Sequence, residues 1–115
     1  MAESIVVEPS GRILADRVRW ARTPAERVRG LVGSAPLESG EALVITRGYQ
    51  VHTFFMSYPI DVVFCDGAWN VRRVVAAMPP RRITGWVRRS RFVIELPAGA
   101  AGDDVRPGVR LIVDG

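Results

Sequence analysis

The stretch from His52 to Asp66 reads HTFFMSYPIDVVFCD, and its pattern decides how the middle of the chain folds. Ile60–Cys65 is a mostly apolar run of strand length, rich in β-branched residues, which predicts a β-strand. Pro59 has no backbone N–H to donate to a sheet, so a bend or a sheet edge is predicted before this strand. Val51–Met56 is predicted to form another strand on the other side of the bend.

Short runs of similar character continue on both sides of this stretch, bounded by Gly, Pro, Asn or Asp. They predict strands at Ile5–Glu8, Arg12–Trp20, Glu41–Thr46, Asn70–Ala77, Phe92–Leu96 and Val109–Val113. One helix is predicted to start at Thr23, which forms a capping box with Glu26 and is followed by a proline. It should end between Gly30 and Gly33. The residues expected to face the core are Val28, Leu31 and Val32.

Length and composition are those of an ordinary globular chain. The 115 residues, 48% hydrophobic and 24% charged, predict a single domain over residues 1–115 with one core. About eight short strands, one helix and no βαβ rhythm predict a mainly β fold. The expected architecture is a small closed or half-closed β-barrel with a short helix near the N-terminus.

The sequence carries no sign of export or membrane insertion. Cys65 is the only cysteine, which excludes an internal disulfide. The first residues, MAESIVVEPSGR, lack the basic segment and apolar run of a signal peptide. No apolar stretch approaches the roughly 20 residues of a membrane helix. We therefore expect a protein of the cytoplasm without a membrane span.

Four residues are candidates for a binding site: His52, Met56, Asp61 and Glu95. His52 is the only histidine, and both acids lie in otherwise apolar strands, where a carboxylate needs partners if it is buried. Together they could bind a ligand, or His52 with a carboxylate could catalyse hydrolysis. Alternatively, the acids form a structural network and His52 is a hydrogen-bonded core residue. The spacing matches no metal motif, and no cofactor is expected.

A second candidate site is basic. The net charge is +4, and all sixteen basic residues are arginine. Between Gly67 and Ile94 there is no acid, and two tryptophans, Trp69 and Trp86, are interleaved with seven arginines. These are Arg72, Arg73, Arg81, Arg82, Arg88, Arg89 and Arg91. Such a segment can bind a phosphate backbone and stack bases, or it can solvate outer faces and protect a sheet edge.

These residues together resemble the bacterial and archaeal domain-of-unknown-function 192 (DUF 192) family over about residues 22–113. The resemblance is carried, in the family's order, by Arg27–Leu31, Gly40–Leu43, His52–Met56, Pro59–Phe64, Pro79-Pro80, Val93–Gly99 and Pro107-Gly108. It implies a compact, mainly β fold with short helices and supplies no activity. The family's characteristic positions fall on His52, Met56, Asp61, Glu95 and Gly99. Relatives often have an aspartate where this chain has Val109, and many carry an export signal that this chain does not show.

The favoured hypothesis is therefore a binding module for an unknown small molecule or protein partner, with a polar site around His52, Asp61 and Glu95. A hydrolase that uses His52 with a carboxylate is one alternative. Binding of nucleic acid or another acidic partner through the segment Arg72–Arg91 is the other, and it is not favoured because the sequence has no nucleic-acid-binding motif.

Overall fold

The computed structural model describes residues 3–33, 35–54 and 56–114, and these ranges contain eight strands and one helix. In chain order the elements are β1 (Ser4–Val7), β2 (Ile13–Ala15), β3 (Arg17–Ala21), α1 (Pro24–Arg29), β4 (Glu41–Thr46), β5 (Ile60–Cys65), β6 (Val71–Met78), β7 (Phe92–Pro97) and β8 (Leu111–Asp114). The strands form two sheets, with orders β2-β1-β8 and β3-β4-β7-β5-β6. A mainly β fold with one short helix is thus confirmed.

The two sheets are linked, but neither closes on itself. The predicted strand Arg12–Trp20 is interrupted at Asp16, and its two halves, β2 and β3, pair in different sheets. At the other side, an isolated bridge between Asn70 and Arg110 connects the residue before β6 with the residue before β8. The closed or half-closed barrel therefore remains a prediction.

The five-stranded sheet has a hydrophobic core on each face. Val63 and Ile94 belong to the core that lies towards the three-stranded sheet. Val62 and Val93, which precede Val63 and Ile94 by one position, belong to the opposite core, together with Leu31 from the turn after α1. β5 is buried at all six positions because both of its faces are covered. Each such valine or leucine contributes about 1.5–3 kcal/mol when fully buried.

The helix begins as predicted. The Thr23 hydroxyl accepts from the N–H of Glu26 at 3.1 Å, and the Glu26 carboxylate accepts from the N–H of Thr23 at 3.0 Å. The hydrogen bond that this carboxylate accepts from the N–H of Thr23 is the main reason why the pKa of Glu26 lies below its usual value. Gly30 ends the helix with φ +51°, a left-handed conformation that favours glycine.

The prediction for the apolar face of the helix is partly wrong. Val28 is 77% exposed, and no residue of the six-residue helix is buried. Leu31 is buried as predicted, but it lies in the turn after the helix, and Val32 is half-buried. The helix is so short that the chain leaves it at Gly30, and the turn, not the helix face, directs apolar side chains inward.

Val51–Met56 does not form the predicted strand within the described residues, and Phe55 lies outside them. His52 forms an isolated antiparallel bridge with Ile83. Backbone bonds from Thr84 to Val51 and from Val87 to Tyr49, both 2.8 Å, continue the pairing on one side. We call the paired segments 49–54 and 82–87 the ribbon. Its inner residues cover the core that contains Leu31.

Thr53 explains why the ribbon is irregular. Its side chain is fully buried, donates to the carbonyl of Pro79 at 2.6 Å and accepts from the N–H of Arg82 at 3.0 Å. The backbone of Thr53 is also paired, donating to the carbonyl of Arg82 at 2.8 Å and accepting from the N–H of Arg81 at 3.1 Å. The hydroxyl thus takes the place of a backbone acceptor for the N–H of Arg82 alone. This role of Thr53 has no signal in the sequence.

Candidate functional site

Glu95 is the most unusual polar residue of the described structure. It lies in the middle of β7, between Leu43 of β4 and Val62 of β5, and only 4% of it is exposed. Its Oε1 atom has no hydrogen-bond partner among the described residues. Burial raises the pKa of Glu95 to about 7. An unsatisfied buried polar group costs about 1–3 kcal/mol, so it calls for an explanation, and function is one.

The turn after α1 lies over this carboxyl group. A Cβ atom placed on Gly30 would be 3.9 Å from Oε1 of Glu95. The capping box fixes where the helix starts, and the left-handed Gly30 fixes where it ends. Local sequence chemistry on α1 therefore positions the backbone that covers a side chain of β7.

A narrow cavity opens beside Glu95, and we call it the inner cavity. It is lined by residues 27–32, Ile45, Gln50, Val51, His52, Met56, Val93 and Glu95. Three of the four predicted site residues are thus brought to one cavity. Its volume of about 80 Å³ is that of two or three waters at about 30 Å³ each. It can admit a small group, whereas complete small-molecule sites measure about 300–1,000 Å³.

A wider outer cavity of about 370 Å³ adjoins the inner one. The two share five lining residues, which are Arg27, Val28, Ile45, Gln50 and His52. The outer cavity is further lined by Pro24, Arg47, Gly48 and Tyr49. Because they share this much wall, we treat the two cavities as the deep and shallow parts of one site.

His52 is exposed and stands between the two cavities. Its ring stacks on that of Phe54, with centroids 5.4 Å apart and an interplanar angle of 25°. The alternative interpretation as a core histidine is therefore wrong. The stacking on Phe54 orients the imidazole. Because His52 is exposed and lines both cavities, a ligand in either cavity can contact it.

Asp61 does not join this site, so the expected convergence of Asp61 with Glu95 is wrong. Their strands are neighbours, but Asp61 pairs with Leu96 and Glu95 with Val62. Adjacent positions of a strand point to opposite faces of the sheet. The two carboxyl groups consequently face the two different cores.

Asp61 has a structural role instead. Its Oδ1 atom accepts from the N–H of Ala77 at 2.7 Å, and Oδ2 accepts from the buried N–H of Ala101 at 2.9 Å. Ala77 has a φ of +47° near the end of β6, and Ala101 follows the turn after β7. One buried side chain therefore ties the ends of two neighbouring strands to β5.

Several other chemistries find little support in the described residues. Cys65 is buried, and burial raises its pKa to about 12, which keeps it a thiol rather than a nucleophilic thiolate. Within residues 3–33, 35–54 and 56–114, no three His, Cys, Asp or Glu side chains are grouped as metal ligands. The helix in these ranges is too short to cross a bilayer.

The predicted basic segment is divided by the fold. All seven of its arginines are exposed, but Arg72 and Arg73 lie on β6 at the edge of the five-stranded sheet. Of the other five, Arg82 lies in the second half of the ribbon, Arg81 precedes it, and Arg88, Arg89 and Arg91 follow it. Trp69 is half-buried and stacks on Phe92, with the ring centroids 3.9 Å apart.

Trp86, in contrast, lies on an exposed aromatic face. It is 72% exposed, and its ring contacts that of Tyr49 with centroids 4.6 Å apart. Phe54 and Ile83 are exposed on the same ribbon, by 41% and 57%. Of this face, the sequence identified only Trp86. Tyr49, Phe54 and Ile83 could not be assigned to it, because the two segments of the ribbon meet only in the folded chain.

Similarity to known proteins is found among solved structures and in one family model. No curated protein matches this chain. A protein of unknown function from Novosphingobium aromaticivorans DSM 12444 has a similar structure, with a TM-score of 0.81 and 21% identity over 97% of this chain and 84% of that one. A Sinorhizobium meliloti 1021 protein described as a "putative transcription regulator" has a TM-score of 0.78 and 25% identity over 97% and 94% of the two chains. The model of the DUF192 family, described as "Uncharacterized ACR", matches residues 5–113, so this chain belongs to that family.

Proposed function

We propose that this chain is a binding module whose inner cavity receives a small hydrogen-bond-donating group of a ligand. The observation that carries the proposal is the Oε1 atom of Glu95, which has no hydrogen-bond partner among the described residues. Glu95 is only 4% exposed, and it lies in the wall of the inner cavity. A hydroxyl, amide or ammonium group would supply the missing hydrogen bond. His52 and Met56 line the same cavity and would contact the group from the side.

The size of the inner cavity bounds the affinity. A volume of about 80 Å³ has room for about three or four heavy atoms. With a ceiling of about −1.5 kcal/mol per heavy atom for very small ligands, a group of four heavy atoms binds with a dissociation constant of about 0.04 mM at best. A tighter natural ligand must make further contacts outside this cavity.

Three probes test the proposal: glycerol, acetamide and methylammonium, titrated at millimolar concentrations into ¹⁵N-labelled protein. We expect at least one to shift the amide resonances of Gly30, Val51 and His52 selectively. The variant Glu95→Met has similar volume without the acceptor, and it should lose these shifts. Arg72→Gln, on the distant β6 edge, is the matched control and should keep them.

Two results would contradict the proposal. In one, none of the three probes shifts the resonances of cavity residues. In the other, the shifts persist unchanged in Glu95→Met, whose spectrum otherwise shows the native fold. Either result means that the buried carboxyl group is not a recognition element.

Hydrolysis has weaker support than binding. His52 and Glu95 line one cavity, which keeps a histidine and a carboxyl group near each other, but no hydrogen bond orients His52 in the described structure. A catalytic base is usually oriented by a third group. We therefore retain hydrolysis as the alternative, and location in the cytoplasm stays a prediction from sequence.

Nucleic-acid binding is a second candidate because of the ribbon. Its exposed pair Trp86 and Tyr49 lies among exposed arginines, and stacking of one base on an aromatic ring is worth about 1–3 kcal/mol. The Sinorhizobium meliloti relative, at 25% identity, is described as a "putative transcription regulator", which adds weak support for this candidate.

Fluorescence titration with single-stranded oligonucleotides tests it. If nucleic acid is the partner, binding is tightest at low salt, weakens as salt rises, and falls about five- to hundredfold in Trp86→Ala. Ile13→Ala removes a 63% exposed apolar side chain on β2, in the other sheet, and should have no effect. No quenching at low salt would remove this candidate.

A further inference from the structure

We infer that the outer cavity is an anion subsite, so that the ligand of the proposed site is a small hydroxylated molecule carrying a phosphate or carboxylate group. The inference rests on the proposed function of the inner cavity. It adds the chemical class of the ligand and the direction in which the ligand lies.

The first argument for an anion subsite is the positive charge of the outer cavity. Arg27 and Arg47 line it, Arg29 lines the adjoining inner cavity, and the described lining residues of the outer cavity include no acid. None of the three arginines is among the ion pairs found in the described residues. Guanidinium groups without an acidic partner are suited to oxyanions, which they can bind through two parallel hydrogen bonds.

Arg27 is also partly positioned. It is half-buried, and its Nη1 atom donates to the carbonyl of Arg22 at 2.7 Å. A guanidinium group has five N–H donors, so this bond leaves other donors for a ligand. A side chain that is already held loses less conformational entropy when it binds.

The second argument comes from Glu95, which determines which end of the ligand enters the inner cavity. An anion in the inner cavity would be placed against a buried carboxyl group that has no cation bonded to it in the described structure. A hydroxyl group there can donate to Oε1 instead. The neutral polar end therefore enters the inner cavity, and the anionic end remains with Arg27 and Arg47.

The volumes agree with such a ligand. The inner cavity holds a hydroxyl-bearing tip, and the outer cavity, at about 370 Å³, falls within the range of small-molecule sites. A long acidic polymer would not need the deep part of the site. Glycerol and inorganic phosphate represent the hydroxylated tip and the anion as separate compounds.

The experiment compares four compounds by calorimetry or NMR titration at pH 7 and low salt: glycerol, inorganic phosphate, glycerol 3-phosphate and glycerate. We expect at least one of the two hydroxylated anions to bind at least tenfold more tightly than glycerol or phosphate. Arg47→Gln should weaken that anion about three- to tenfold and leave glycerol unchanged. Arg72→Gln, which removes the same charge at the β6 edge, should change neither.

The outcomes separate the inference from the proposed function. If glycerol binds through Glu95 but neither anion binds more tightly, the anion subsite is wrong and the proposed function stands. Equal weakening by Arg72→Gln and Arg47→Gln would likewise overturn the subsite, because general positive charge would then explain the attraction. If the anions bind through Arg47 and Glu95→Met has no effect on any compound, the subsite stands and the proposed function fails.

Discussion

Replacement of Asp61 by alanine is expected to lower the free energy of unfolding by about 3–5 kcal/mol. The carboxyl group accepts from the part-buried N–H of Ala77 and from the buried N–H of Ala101, and a donor left without a partner costs about 1–3 kcal/mol. Water is a poor substitute, because Asp61 is 1% exposed. The loss would exceed what most single substitutions cause.

Urea denaturation measures this change. Asp61→Asn should cost about 2–3 kcal/mol, since an amide has one acceptor oxygen and places N–H groups against the second backbone donor. Asp103→Ala is the control: Asp103 is exposed, and we expect a change within about 0.5 kcal/mol. A native-like stability of Asp61→Ala would show that Asp61 does not hold the strand ends together.

The second large effect is a loss of stability with rising pH, caused by Glu95. Its pKa is about 7 in the folded protein and 4.5 in an unperturbed glutamate, so between these values the folded state binds more protons than the unfolded state. The contribution is fully present below about pH 4.5 and is lost as pH rises through about 7. It amounts to about 3 kcal/mol.

Denaturation curves of the wild type and Glu95→Met between pH 4.5 and 8 isolate this effect. The variant should lack the decline and be more stable than the wild type at pH 8. Because Arg27, Arg29 and His52 line the same cavity, only the difference between the two proteins is assigned to Glu95. Identical pH profiles would show that Glu95 is not the buried acid responsible. The lowered pKa values of Asp66 and Asp104 act at more acidic pH.

Local chemistry explains what the sequence predicted well. The capping box at Thr23 and the bend before β5 depend on a few adjacent residues, and both are found where expected. The sequence also identified the two acids that needed an explanation. These features require no knowledge of which strands are neighbours.

The division between Asp61 and Glu95 could not be predicted, because it depends on pairing across the sheet. A change of register by one residue between β5 and β7 would have placed both acids on the same face. The walls of the site have the same origin, since Arg27 comes from α1 whereas Arg47 and Tyr49 come from the segment after β4. No spacing in the sequence relates α1 to the residues before the ribbon.

The prediction of a strand at Val51–Met56 is wrong for a further physical reason. Alternation of polar and apolar residues reports which side chains face inward, and it holds here around His52 and Thr53. It does not report whether the backbone ladder is continuous. At Thr53 the backbone carbonyl accepts from Arg81, and the buried hydroxyl accepts from the N–H of Arg82, so the ladder is irregular there.

The exposed helix α1 has a kinetic consequence. None of its six residues is buried, so its local unfolding uncovers little apolar surface and requires only a small part of the global free energy of unfolding. Yet the turn at Gly30 that covers Glu95 depends on this helix. We therefore expect fraying of α1 to widen the path between solvent and the buried carboxyl group while both sheets stay intact, so that proton exchange at Glu95 is faster whenever this short helix opens.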